Sequence, residues 1–388
     1  MYFSSERNAR LAAKLFQHIE QTTTDRLDGL LEYDLAIYTC PDTAKRERDK
    51  IFQKAPMMAA HSAQIPTPGS FITLQLNSSN VLLTRKQDGS VGAFLNICRH
   101  RGTQLVGAAC GERSRFTCPY HGWTYSNDGK LRGIGFQDSF GIKPGDEQGL
   151  ERGLVALPVE ERHGFIWIVE DPKGAIDVRA HLGDGMDQAL AEYGLDQWFH
   201  YKTHVFDFPQ NWKVMMDGLI DGYHVQFLHG KTISPYFYPN MMGIEILGRN
   251  ALWGNPRRAM EKIMHEPPGE NSLDKFAIIG NLFVPNAVMV MHPHHIEFWT
   301  VYQDPNNTAA CRVHLRYLTP SGDYDERITG ILEKNWKIAT DAIINEDVPV
   351  GNSIQASSAT PNAGSVCLGR NEVTNQLFHL AYRDYMSA

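Results

Sequence analysis

The stretch Cys98-Arg99-His100-Arg101-Gly102, with its partner Cys118-Pro119-Tyr120-His121-Gly122-Trp123, decides the reading of this chain. Each word holds one Cys and one His, with one residue between them in the first and two in the second. Seventeen residues separate His100 from Cys118. Thiolates and imidazoles are metal ligands, and two of each make a four-ligand set. Zinc accepts such a set, but usually as a Cys pair followed by a His pair. One Cys and one His from each half suit a two-iron, two-sulfur cluster. One iron then takes Cys98 and Cys118, and the other takes His100 and His121. With 6 Cys and 16 His in 388 residues, this four-position pattern has a chance expectation on the order of 10⁻⁴, so accident is set aside. The rival readings are a structural zinc knuckle and unrelated buried Cys and His.

The words CRHRG and CPYHGW resemble the Rieske proteins. Their [2Fe–2S] centre owes its raised reduction potential to the replacement of two Cys by two His. Arg99 and Arg101 either tune such a cluster and steer an acidic partner or are solvated loop charges. Pro119, Tyr120 and Trp123 would shield it.

The chain exceeds one ordinary domain, and two are expected. Composition is globular, with 42% hydrophobic and 21% charged residues. The formal net charge is −7 with both signs interspersed, which argues against nucleic acid as a partner. The N-terminus mixes charges with apolar residues, so it reads as neither a signal peptide nor a membrane span. No later run reaches about 18 apolar residues, and no membrane association is expected. Cys40, Cys110, Cys311 and Cys367 form no close-spaced framework, so a reducing cytoplasm is the expected setting.

In chain order, residues from about Ser5 to Leu31 read as helix, interrupted near Thr22–Thr24. Pro41 to Phe52 reads as a second helix, capped by Asp42 or Thr43. From Pro66 the pattern changes to short β runs at Ser70–Leu76, Val81–Arg85, Val91–Ile97, Arg115–Cys118, Thr124–Tyr125, Leu131–Arg132 and Phe165–Val169. Asp177 to Leu195 reads as a connecting helix. Asn281–Val284, Ala287–Met291, His295–Gln303 and Cys311–Leu318 alternate as strands of an antiparallel sheet. Ser321–Ile344 reads as a long amphipathic helix that Pro349 ends. Arg370 to Ala388 reads as a helix covering the core.

A second chemical site lies in Asn211-Trp212-Lys213 through His229. Asp217, Asp221 and His224 are spaced i, i+4, i+7, which puts them on one helix face. His229, five residues beyond His224, falls about 140° off that face. Both imidazoles reach one metal only if the helix ends, kinks or carries a π-bulge near Val225–Leu228. Gly218 and Gly222 weaken the helix and leave room beside a metal. Two His and a carboxylate with open positions make the facial triad of mononuclear non-haem iron oxygenases. The rival is that His224 and His229 are ordinary buried or surface histidines. His292, His294 and His295 read as a turn with solvated histidines in preference to a metal site.

The order Cys-x-His, Cys-x2-His, Asn-Trp-Lys, then Asp-x2-His-x4-His resembles the α subunits of Rieske non-haem iron aromatic-ring-hydroxylating oxygenases. The resemblance spans most of the chain. It implies an α+β chain: a small all-β Rieske domain, then a helix-grip catalytic domain in which a long helix clasps an antiparallel sheet. The expected limits are 1–40 for an N-terminal helical segment packing on the catalytic domain, 41–170 for the Rieske domain and 171–388 for the catalytic mononuclear iron domain. It makes Cys98, His100, Cys118 and His121 the cluster ligands, and His224 and His229 ligands of an Fe(II) ion. Asp347 takes the place of the terminal carboxylate ligand, with its neighbour Glu346 as competitor and Gln355 following. Asp221 becomes the carboxylate that bridges a cluster His of one subunit to an iron-ligand His of the next. Asp217 matches an upstream acidic position of the catalytic group.

The implied activity is that of a terminal oxygenase component, which uses O2 to mono- or cis-dihydroxylate an aromatic or similar hydrophobic substrate. The largely apolar residues Val225, Phe227 and Leu282–Val284 point the same way. No Gly-x-Gly-x-x-Gly stands in a strand–turn–helix setting, so NAD(P)H would act only through a separate reductase, with or without a ferredoxin. The assembly implied is a homotrimer, or an α3β3 complex with a small β subunit. The alternatives are a monooxygenase performing oxidative N- or O-demethylation or attacking a quaternary ammonium, a Rieske electron-transfer protein, and a structural zinc protein.

Overall fold

A computed structural model describes residues 5–269 and 271–387. The chain divides into two compact units, Arg48–His181 and a second built from residues 1–47 together with Leu182–Ala388. The sequence reading set its divisions at 40/41 and 170/171. By contacts they fall at 47/48 and 181/182.

The first unit is all-β in its core. Antiparallel strands Val91–Leu95, Asn80–Arg85, Ser70–Gln75 and Cys110–Glu112 form one sheet in that order. Arg115–Thr117, Thr124–Ser126 and Leu131–Gly133 form a second, and Val159–Arg162, Phe165–Ile168 and Met57–His61 a third. Strands this short cannot bury much surface singly. Instead Phe71, Phe94, Phe116, Trp123 and Tyr125 converge from several of them around Cys98 and Cys118. Each such ring contributes about 1.5–3 kcal/mol by leaving water. The Cys/His loops therefore rise from a packed base.

The second unit is a seven-stranded antiparallel sheet. Its order is Phe199–Phe208, Cys311–Thr319, Ile296–Gln303, Ala287–Met291, Ala277–Phe283, Asn250–Pro256 and Gly243–Leu247. Every residue of Ile296–Gln303 is buried, so both faces of this central strand are covered. The helix Glu326–Ala342 lies along one face, with the Trp336 ring edge-on to Tyr317 at 4.8 Å. The α+β, helix-on-sheet architecture expected from the sequence is present.

Three local expectations change. The N-terminal helix runs only from Ser5 to Gln21, and Thr22 has a left-handed φ of 52°. Leu31 instead begins a strand, Leu31–Asp34, paired with Ser365–Leu368. Pro349 does not end the long helix. A π-turn at Ile343–Asp347 follows Ala342, and a further helix, Val348–Ser358, carries Pro349 in its first turn. Its missing N–H falls directly after the π-turn, where the Val348 amide still donates to Ile343 O and the register returns from i−5 to i−4.

The Asn-Trp-Lys word is structural. Asn211 caps the helix Trp212–Ile220, its side chain accepting from the Lys213 amide at 3.0 Å. Lys213 Nζ, fully buried, lies 2.5 Å from Glu47 Oε1. Trp212 Nε1 and the Tyr382 hydroxyl also donate to Glu47. A buried ion pair keeps its value only when its lone pairs are filled in this way. The network ties the start of the helix to the segment before residue 48 and to the C-terminal helix Val373–Ser387.

Candidate metal centres

The two Cys/His words fold into the same turn. In each, the Gly amide four residues on donates to the Cys carbonyl, Gly102 to Cys98 and Gly122 to Cys118, both at 3.1 Å. The Cys amides donate to Thr103 O and Trp123 O. Gly102 and Gly122 have φ of 76° and 71°, a conformation that costs an L-residue about 1–2 kcal/mol. Both thiols are buried, at 2% and 3% exposure, while both imidazoles are half-buried. The His100 and His121 rings stand 4.6 Å apart, and Trp123 stacks on His100 at 5.1 Å. His100 Nδ1 is buried without a hydrogen-bond partner. Burial pushes the Cys98 thiol pKa up, so a thiolate there needs a cation. The donor set and the unfilled imidazole nitrogen fit an iron–sulfur cluster.

Arg101 lies over the Tyr120 ring at 5.2 Å. Tyr125 is a contributor that no motif marks. Its hydroxyl accepts from the Arg99 amide at 3.0 Å and stands 3.5 Å from Cys98 Sγ. Hydrogen bonds to cluster sulfur tune its potential.

The second centre assembles from three elements. The helix Trp212–Ile220 stops where Asp221 turns to extended geometry, φ −82° and ψ 120°. Asp217, Asp221 and His224 therefore do not share one continuous helix. The break comes earlier than Val225, and His224 starts a new short helix, Val225–Leu228, that His229 closes. This brings His224 Nε2 to 3.1 Å from His229 Nε2. Asp347 Oδ1 then lies 3.4 Å from the first and 3.2 Å from the second. Three ligands about 2.1 Å from one ion, at angles between octahedral and tetrahedral, stand about 3.0–3.4 Å apart. The three donors match that spacing.

The π-turn places the neighbouring acid on the other side. Glu346 meets Nδ1 of His229 and accepts from Thr232 Oγ1 at 3.0 Å. Asp221 Oδ2 lies 3.0 Å from Nδ1 of His224. Each imidazole thus has a carboxylate behind it, and Asp347 faces both Nε2 atoms. Burial works against protonating His224, yet the hydrogen bonds to Asp221 and Asp347 lift its pKa to about 9. Burial likewise works to raise the Asp347 pKa, and the two imidazoles hold it down. The site is negative enough to take a cation.

Asp217 stands apart from this group. Tyr38 OH donates to it at 2.8 Å, and His379 Nε2 lies 3.0 Å from Oδ1. Nothing lies within 4 Å of where a Gly218 Cβ would stand, whereas one on Gly222 would meet Met242 Sδ at 2.3 Å. The expected apolar wall is only partly present. Leu282, Phe283 and Val284 are buried, but Phe227 is 65% exposed on the surface.

A ring-hydroxylating α-subunit catalytic domain model matches residues 195–388, and a Rieske [2Fe–2S] domain model matches 55–143. The chain belongs to the ring-hydroxylating α-subunit family. Its cofactors are accordingly a Rieske [2Fe–2S] cluster and a mononuclear iron. It is 29% identical over 213 residues to the anthranilate 1,2-dioxygenase large subunit of Acinetobacter baylyi, covering 53% of this chain and 44% of the relative. It is 31% identical over 198 residues to the naphthalene 1,2-dioxygenase large oxygenase component of Pseudomonas aeruginosa, covering 49% and 42%. The chain spans less than half the length of these relatives. In fold it resembles the quaternary ammonium Rieske monooxygenase CntA, with a TM-score of 0.78 at 20% identity over 94% of this chain and 100% of that one. A naphthalene 1,2-dioxygenase with bound indole gives 0.73 at 19% identity, covering 92% of each chain.

No helix among the described residues is long and apolar enough to cross a membrane. Sequence reasoning missed Tyr38, Asn375 and His379 around Asp217, and Glu47 beneath Lys213. None sits near its partner in sequence, and none lies in a motif.

Proposed function

We propose that the chain is the terminal oxygenase component of a multi-protein system. It takes electrons from an NAD(P)H-dependent reductase, with or without a ferredoxin, and uses O2 to hydroxylate an aromatic or similarly hydrophobic substrate in the cytoplasm. The observation that carries this reading is the convergence of His224, His229 and Asp347 with donor separations of 3.1–3.4 Å. A Rieske electron carrier has no use for such a triad. A structural zinc site is closed by four protein ligands, and three leave open positions.

In this reading Cys98, His100, Cys118 and His121 hold the cluster, and His224, His229 and Asp347 hold iron. When bound, the cluster supplies single electrons and the iron supplies the site at which dioxygen is activated. The protein's own part is orientation. Asp221 and Glu346 fix the tautomers of His224 and His229 from behind, and Asp347 closes the third position. We assign Asp221 the further task of linking His224 to a cluster histidine, His100 or His121, of a neighbouring copy. That task requires a homo-oligomer, a trimer or an α3β3 assembly. Asp217, held by Tyr38 and His379, is a positioning residue. It fixes the last turn before Asp221.

The test is a substrate screen with a surrogate reductase, reading products by mass. Gain of oxygen on an aromatic ring supports the reading. Loss of a methyl group from an N- or O-methyl or quaternary ammonium compound moves the chain to the monooxygenase class. Cluster reduction with no substrate-dependent oxygen uptake reduces it to an electron carrier.

A further inference from the structure

The turn His292-Pro293-His294-His295 joins strands Ala287–Met291 and Ile296–Gln303. Its sequence suggests solvated histidines, and the structure corrects this. His295 is 0% exposed and Glu297 9%. The turn is closed by the His292 amide donating to His295 O at 2.9 Å. Glu297 Oε1 lies 3.3 Å from His292 Nε2 and 3.7 Å from His295 Nε2. All three side chains offer a ligand atom within 4.8 Å of the others.

The surroundings orient these groups. Tyr317 OH donates to Glu297 Oε1 at 3.1 Å, and Trp299 Nε1 donates to Oε2 at 3.2 Å. The His295 ring stacks on Tyr317 at 4.2 Å and on His292 at 4.5 Å. Neither ring nitrogen of His295 has a hydrogen-bond partner. Leaving a buried polar atom unsatisfied costs about 1–3 kcal/mol. Burial also pushes the His295 pKa down. Burial works to raise the Glu297 pKa, but the neighbouring imidazoles hold it well below the usual range.

We infer that His292, His295 and Glu297 form a second cation site of the zinc class, an open one with three protein ligands, distinct from the iron triad. Two imidazoles and one carboxylate are borderline ligands that suit zinc. Zinc–ligand bonds of 2.0–2.1 Å at tetrahedral angles separate ligands by about 3.3 Å, close to the two distances from Glu297. Water completes the set. Trp336, packed on Tyr317, lies about three helical turns before Asp347, roughly 16 Å along the helix axis. The ion would pin the turn between two central strands and satisfy His295. The inference does not depend on the iron assignment.

The test counts zinc and iron by mass spectrometry in the cluster-containing chain after zinc dialysis and mild chelation. The variants are His295→Ala, the near-isosteric Glu297→Gln and His224→Ala, with the cluster's visible spectrum checking the fold. The site predicts about one retained zinc per chain in the wild type and in His224→Ala. It predicts background zinc in the other two, and a nitrogen- and oxygen-only shell at the zinc absorption edge. No retained zinc in the wild type overturns the inference and leaves an internal His–Glu ion pair. Zinc held equally by Glu297→Gln and His295→Ala, or lost in His224→Ala, overturns it as well.

Discussion

The cluster loops and the iron triad use similar ligands on opposite plans. Cys98–Gly102 and Cys118–Gly122 are two copies of one turn, closed by their own backbone hydrogen bonds and set on a common β base. Each loop is complete within a few residues, so its ligands stand in sequence as they stand in space. The triad gathers His224 and His229 from either end of a one-turn helix and Asp347 from a π-turn far downstream. Its geometry is a property of the tertiary fold. Local construction makes a centre robust to change elsewhere, whereas the triad depends on how a helix breaks and how another widens.

The largest effect belongs to Cys118→Ala. The loop has one thiolate and no substitute, so the cluster and its visible absorption should vanish, while the triad, lying in the other compact unit, keeps its iron. Loss of triad iron as well would break the contrast. Asp221→Asn comes next. It keeps a hydrogen-bonding side chain behind His224, so both metals and the cluster spectrum should persist while substrate-coupled turnover is lost. Near-normal product formation would remove Asp221 from the electron route. Glu346→Gln should weaken triad iron binding about 10–100-fold, the usual effect of a carboxylate behind a ligating imidazole. An iron titration reads this, with cluster content as the internal control. Gly122→Ala sharpens the comparison from the other side. At φ 71° an added Cβ should cost about 1–2 kcal/mol, visible as a lower melting temperature with cluster and triad both assembled.

This contrast also explains what the sequence revealed. The paired Cys and His were legible from their spacing together with the words around them, and the strands around them from short β runs between turn residues. The triad histidines were legible as a motif, but not their geometry. A continuous helix from Trp212 onward looked plausible because Asp217, Asp221 and His224 share helical spacing. Nothing local shows that the helix ends at Ile220. Glu346 and Asp347 could not be separated by position, since adjacent carboxylates differ only in where the π-turn points them. Pro349 looked like a terminator because its tolerance in a first turn depends on that same π-turn. His295 looked solvated because a polar word between strands usually is. Its burial comes from Tyr317 and the helix beyond, which no window around residue 295 contains.

The central claim is that the two centres are built and lost independently, with Asp347 the carboxylate that completes the second. Iron analysis of the purified wild type and of Asp347→Ala tests it most directly. The account predicts about three irons per wild-type chain, two in the cluster and one at the triad. It predicts about two in Asp347→Ala, with the cluster's visible and paramagnetic resonance spectra unchanged. Three irons retained in Asp347→Ala, or a cluster lost along with the triad iron, would contradict it.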